Sequence, residues 1–137
     1  MSLKRIVAAI FIVGFFVNGC ASKLNDVETL HNKASELKNL TKKAKGAILR
    51  KIPDEQIYTY MEDRYSEELQ EFSEYSLHIK NVNGFAVILM CNKEQTKALV
   101  EDISCTGAVE GGELFKEDLE CSFHLDVEKE CASQVKH

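Results

Sequence analysis

The sequence predicts an α+β domain: two N-terminal helices followed by a four-stranded antiparallel sheet stapled by two disulfides. Three observations carry this expectation. Apolar residues recur at three- and four-residue steps from Val27 to Phe72. From Tyr75 the period changes to two. Four cysteines, Cys91, Cys105, Cys121 and Cys131, fall inside and after that second region.

The chain opens with Lys4 and Arg5, followed by an uncharged apolar run from Ile6 to Val17. This is the order of an export signal, and the run is short of the roughly 20 apolar residues that span a bilayer. It ends in Val17-Asn18-Gly19-Cys20, which resembles the lipobox of bacterial lipoproteins. In that family the signal is cut just before the cysteine, the thiol is diacylated, and the new amino terminus is usually acylated too. The resemblance covers residues 1–21 only. It implies a signal peptide over 1–19, cleavage between Gly19 and Cys20, and lipid attachment, with palmitate-type chains, at Cys20. Ala21 stands where an aspartate retains enteric-type lipoproteins in the inner membrane. The implied place is therefore the bacterial cell envelope, lipid-anchored and facing the periplasm, with the outer membrane favoured. Two or three acyl chains anchor stably where one is marginal. A plain secretory signal, with Cys20 an ordinary thiol, is the alternative.

Residues 20–137 have the size of one domain. Their charge divides unevenly. Residues 20–52 hold eight Lys/Arg and three acids, whereas 53–137 hold seven Lys/Arg and nineteen acids. We therefore divide the mature chain into a lipid-anchored basic helical segment, 20–52, and an acidic α+β head, 53–137. Basic residues beside an anionic bilayer gain on the order of 1 kcal/mol each; two solvated faces of one domain is the simpler reading. Nucleic acid is disfavoured as a partner, because the basic stretch carries no interleaved aromatics.

Residues 25–51 read as the first helix. Val27, Leu30, Ala34, Leu37, Thr41, Ala44 and Ile48 form its stripe, and Leu40 and Ala47 widen it. Asn25 followed by Glu28 suits a capping box. The stripe either packs on its own domain or takes a partner. Pro53 ends this helix and starts the next, with Ile57, Met61, Tyr65, Leu69 and Phe72 as its apolar face, Tyr58 alongside, and Glu62, Asp63, Glu67, Glu71 and Glu74 around the rest.

Tyr75, Leu77 and Ile79 alternate with polar residues, as in a half-buried strand. Asn83-Gly84 is a hairpin turn signal, and the apolar run from Phe85 to Met90 reads as a central strand covered on both faces. Asn92 to Thr96 makes a turn, and Lys97 to Ser104 a third strand with Leu99 and Ile103 on one side. Residues 106–120 read as a loop holding a short helix from Glu113 to Leu119. Ser122 to Val127, with Phe123, Leu125 and Val127 inward, reads as the fourth strand.

An even set of four cysteines in an exported chain points to disulfides. Cys91 and Cys105 lie at opposite ends of a hairpin, about seven residues of about 3.3 Å each apart, beyond the roughly 7 Å between Cα atoms that a disulfide spans. Cys121 and Cys131 bracket a strand and too few residues to fold back. If 122–127 pairs antiparallel with 97–104, the bridges are Cys105–Cys121 and Cys91–Cys131. Cys121-Ser122-Phe123-His124 has C-x-x-H spacing, but alternation on a strand turns Cys121 and His124 apart, which weakens a zinc reading.

His31, His78, His124 and His137 sit in no catalytic motif; G-x-S-x-G, P-loop, H-E-x-x-H and C-x-x-C patterns are absent. Glu101-Asp102 are neighbours that face opposite ways on a strand, expected as a solvated edge charge and a turn or sheet acceptor. These readings disfavour an enzyme, predict no catalytic residue, metal or cofactor, and leave two functions. The favoured one is a lipid-anchored, non-enzymatic protein-binding or assembly accessory module with an envelope protein partner. The alternative is an inhibitor or immunity-type lipoprotein whose acidic head blocks a basic envelope enzyme or toxin. The acidic helix face and the loop 106–120 are the expected contact surfaces.

Overall fold

A computed structural model of the chain describes residues 26–105 and 110–135. Gly19, Cys20 and Asn25 lie outside the described residues, as do 106–109 and His137. The elements run α1 (Val27–Leu49), a 3-10 turn (Asp54–Gln56), α2 (Ile57–Arg64), α3 (Ser66–Gln70), β1 (Tyr75–Val82), β2 (Phe85–Asn92), β3 (Ala98–Ser104), β4 (Glu110–Leu119) and α4 (Val127–Val135). The strands form one antiparallel sheet in the order β1-β2-β3-β4. Among the described residues, no helix is long and apolar enough to cross a membrane.

Helix α1 starts after Asp26, which occupies the N-cap position without a side-chain cap hydrogen bond. Its end is closed by Lys51 in the left-handed region (φ 61°), with the Lys51 N–H on the Ile48 carbonyl at 2.9 Å and the Ile52 N–H on Ala47 at 3.2 Å. That is a Schellman closure, with Ile52 packing back before Pro53 stops the helix. Leu30, Leu37, Leu40, Ala44 and Ala47 are buried against the sheet and α2. Apart from the exposed Val27, the apolar stripe is therefore covered by the chain's own core. Thr41 is also buried and gives its hydroxyl proton to the Leu37 carbonyl, 2.8 Å away. The second predicted helix is broken into the 3-10 turn, α2 and α3, with the interruption at Tyr65 (φ −129°, ψ 39°).

Strand β2 has both faces buried. Ala86, Ile88 and Met90 pack under α1 with Leu77, Ile79, Val100 and Leu114. Val87, Leu89 and Cys91 face the other way, where Ile103, Cys105, Phe115, Val127 and Cys131 also gather. The β1–β2 hairpin is the predicted two-residue turn, with Asn83 and Gly84 at positive φ (53° and 89°). At the next turn Asn92 Oδ1 accepts the Thr96 and Lys97 N–H groups at 2.8 and 2.9 Å. A register shift between Ala98 and Val100 places Leu99 with the α1-side core, while Ile103 lies on the opposite side.

The C-terminal part departs from the sequence expectation. The fourth strand is Glu110–Leu119, predicted as a loop and short helix; 122–127 is not in the sheet, and a helix follows at Val127–Val135. The helices are thus not all N-terminal. Residues 120–126 cross the sheet face opposite α1 without pairing, with Phe123 and Leu125 turned onto the apolar side. An extended segment lying on a sheet alternates in and out much as a paired strand does, which is why its pattern reads as one. Strand β4 is polar and runs at the sheet edge, where charged side chains discourage further pairing. Asp126 starts α4, its Oδ1 accepting the Lys129 N–H at 3.3 Å.

Moving the fourth strand changes the disulfides. Running antiparallel to β3, β4 carries Cys121 to the Ala98 end, and the returning chain carries Cys131 to the Ser104 end. The bridges are Cys91–Cys121 and Cys105–Cys131, with Cα separations of 5.7 and 5.5 Å, and not Cys105–Cys121 and Cys91–Cys131. They close loops of 30 and 26 residues, a length at which loop entropy contributes about 3–4 kcal/mol each.

Gly112 sits opposite Asp102 at φ 142°, where a Cβ would lie 2.8 Å from the Glu101 carbonyl oxygen. Gly112→Ala is expected to cost about 1–3 kcal/mol, from strain and overpacking together, measured by denaturant unfolding. A non-reduced digest is expected to yield the linked peptides 91/121 and 105/131 in the mass spectrum.

Candidate functional site

Helix α1 and the α2–α3 arm diverge on the side away from the sheet and leave a groove of about 640 Å³. Leu40, Tyr60, Tyr65 and Phe72 supply its apolar surface, Gly46 its open wall, and Lys42, Lys43, Arg50, Glu36, Glu68 and Glu71 its charged rim. That volume is within the range of small-molecule and peptide pockets.

Two lysines of α1 hold the arm in place. Lys43 reaches Glu68 at 2.6 Å and lies 4.8 Å above the Tyr65 ring; this contact holds the Glu68 carboxyl below the ordinary carboxylate range. Lys33 donates to the Glu71 carbonyl at 2.6 Å and stands 5.2 Å above the Phe72 ring. Lys45 reaches the Cys105 carbonyl at the end of β3. Part of the basic stretch thus serves the fold itself. The acids Glu62, Asp63, Glu67, Glu71 and Glu74 are exposed, as the sequence predicted. Tyr65 was expected in the core but is half-buried in the groove wall, because the helix breaks there. The groove itself has no signature in the sequence: it follows from that break and from Gly46, which has nothing within 4 Å of a Cβ position.

In β3, Glu101 is fully buried and Asp102 is 3% exposed, so neither is the solvated edge charge expected. They do face opposite ways: Asp102 looks toward Ala34 and Lys38 of α1 across a small cavity, and Glu101 lies under the crossing segment. The two Glu101 carboxylate oxygens accept the N–H groups of His124 and Leu125 at 2.7 and 3.1 Å. A solvated role fails because β4 and the 120–126 segment cover β3. Burial raises the Glu101 pKa, against the opposing effect of these two bonds and of Lys80 and His124.

His124 Nε2 lies 2.9 Å from the Glu120 carbonyl oxygen, and its ring meets Phe115 edge-on at 5.6 Å. The imidazole beside Cys121 belongs instead to His78, whose Nε2 lies 3.6 Å from the sulfur. The sequence spacing therefore pointed to the wrong histidine. His31 is exposed on α1. The predicted contact loop 106–120 is largely strand β4. No protein family, no curated protein and no solved structure matches the chain.

Because the folded pKa of Glu101 is raised, the folded chain holds this proton more tightly than the unfolded chain does. Its contribution is fully present below the unfolded value and is lost as pH rises through the folded pKa. The melting temperature of the wild type is therefore expected to fall relative to Glu101→Gln as pH is raised from 4 to 7. Parallel melting curves would refute this.

Proposed function

We propose that this protein is a lipid-anchored module of the bacterial cell envelope that binds another envelope protein through the groove between α1 and the α2–α3 arm. The carrying observation is that groove: an aromatic floor of Tyr60, Tyr65 and Phe72 with cations and acids interleaved around it. Tyr and Arg are enriched among residues that dominate protein interfaces, and the mixed rim suits a segment carrying both apolar and charged side chains. The lipobox-like Val17-Asn18-Gly19-Cys20 supports attachment through acyl chains on Cys20, on the periplasmic side and with the outer membrane favoured. Two disulfides suit an oxidising compartment.

A second reading is favoured by the exposed acids of α2 and α3. In it the acidic face blocks a cationic enzyme or toxin, so binding weakens steeply as salt rises. Groove binding is held by aromatic contact and survives the same wash.

Gly46 separates groove binding from stability. Gly46→Ala is expected to stabilise α1 by about 1 kcal/mol or less and to leave binding intact. Gly46→Trp places an indole in the groove. In co-purification from detergent-solubilised envelopes at moderate salt, the wild type and Gly46→Ala should retain the same partner and Gly46→Trp should lose it. Retention by all three would reject the groove. Cys20→Ala is expected to release the protein from membranes with no acyl mass; full retention on the membrane would reject the anchor.

A further inference from the structure

Cys91 lies directly opposite Ser76 in the β1–β2 ladder, so Ser76, His78 and Cys91 share the sheet face that the 120–126 segment crosses. That segment brings Cys121 to the same place. The ligand atoms of His78, Cys91 and Cys121 all lie within 4.8 Å of one another, and His78 Nε2 is 3.6 Å from Cys121 Sγ. A zinc ion bonded tetrahedrally to sulfur at about 2.3 Å and nitrogen at about 2.0 Å holds those two donors about 3.5 Å apart. The nitrogen–sulfur edge of such a site is therefore already formed. The two sulfurs, bonded to each other in the disulfide, have to part.

We propose that the dithiol form of Cys91 and Cys121, together with His78, is a binding site for a thiophilic divalent cation of the zinc class, with its fourth position open to water. The two redox states exclude each other. A small dithiol reductant passes two electrons and two protons to the Cys91–Cys121 bond and becomes a disulfide itself. The cation then takes the two sulfurs as thiolates and their two protons go to solvent, leaving a neutral centre with a neutral imidazole. Bound metal withholds both sulfurs from oxidation, and oxidation expels the metal.

The second bridge has none of these features. Cys105 and Cys131 are both buried among Val87, Ile103 and Val127. Among the described residues, the only group of three such ligands is the one holding His78. His78 and Cys121 are also half-exposed, which gives an ion a route in.

The test uses the full chain, reduced with a dithiol, desalted without oxygen and titrated with Co²⁺. One equivalent is expected to bind with tetrahedral d–d bands and thiolate-to-cobalt charge-transfer absorption, displaced by Zn²⁺. The oxidised protein should give neither. His78→Ala should weaken binding at least about tenfold. Bound Zn²⁺ should shield Cys91 and Cys121, but not Cys105 and Cys131, from alkylation mapped by mass spectrometry. Absence of the charge-transfer band would overturn the proposal. So would equal affinity in His78→Ala, or metal-dependent shielding of Cys105 and Cys131 equal to that of Cys91 and Cys121.

Discussion

Strand β2 offers no charged side chain from Phe85 to Cys91, and from Ala86 onward every one of these residues is buried. A strand of this kind has to be covered on both faces, and the rest of the chain is arranged to do so. Helix α1 covers most of one face, with five buried Leu and Ala side chains directed at the core, and Ile57, Met61 and Phe72 complete that cover. The other face is left to a crossing segment and the nine-residue α4. Burial by so short a piece leaves a smaller margin over the entropy of ordering it than α1 has on the other face. The two disulfides widen that margin, one fastening the start of the segment to β2 and the other fastening α4 to the end of β3.

Charge follows the same division. The arm α2–α3 buries Ile57, Met61 and Phe72 in the core it shares with α1, and α1 also holds its outer side through Lys33 and Lys43, each of which combines an oxygen partner with an aromatic ring. These contacts are exposed and screened by solvent, so the buried apolar side chains carry most of the arm's attachment and the lysines fix its outer edge. The groove opens between α1 and the arm where the arm's helix breaks at Tyr65. Basic and acidic parts of the chain, separate in the sequence, are partners across this gap.

Much of the first two-thirds of the fold was legible because most elements there obey a single period, the exceptions being the break at Tyr65 and the register shift that parts Leu99 from Ile103. Helix α1 repeats at 3.6 residues against one surface, and the hairpin around Asn83-Gly84 needs positive φ that its residues adopt readily. The last third was not, since two unlike structures there resemble each other in pattern. Phe123 and Leu125 alternate as strand residues do, although no ladder pairs them, whereas β4 is a true strand whose edge position filled it with charge. Gly111 and Gly112 look like loop glycines and are in fact points of close approach, to Glu130 and to the β3 backbone. The right set of cysteines with the wrong partners follows directly from that exchange of strands. Cavities and buried carboxylates are properties of three layers at once, so Glu101 and the groove had no local signal to give.

The crossing segment is held at more points than its disulfide. Glu101 grips the backbone of His124 and Leu125 from below, Lys80 lies 4.0 Å over the Phe123 ring, and Phe115 meets His124. These contacts begin two residues after Cys121. They act on the folded state, whereas the bridge acts mainly on the unfolded one. Opening the Cys91–Cys121 bond therefore lowers stability without removing what positions Cys121 over β2. That is the condition for His78 and both sulfurs to remain within one coordination sphere once the sulfurs are no longer bonded to each other.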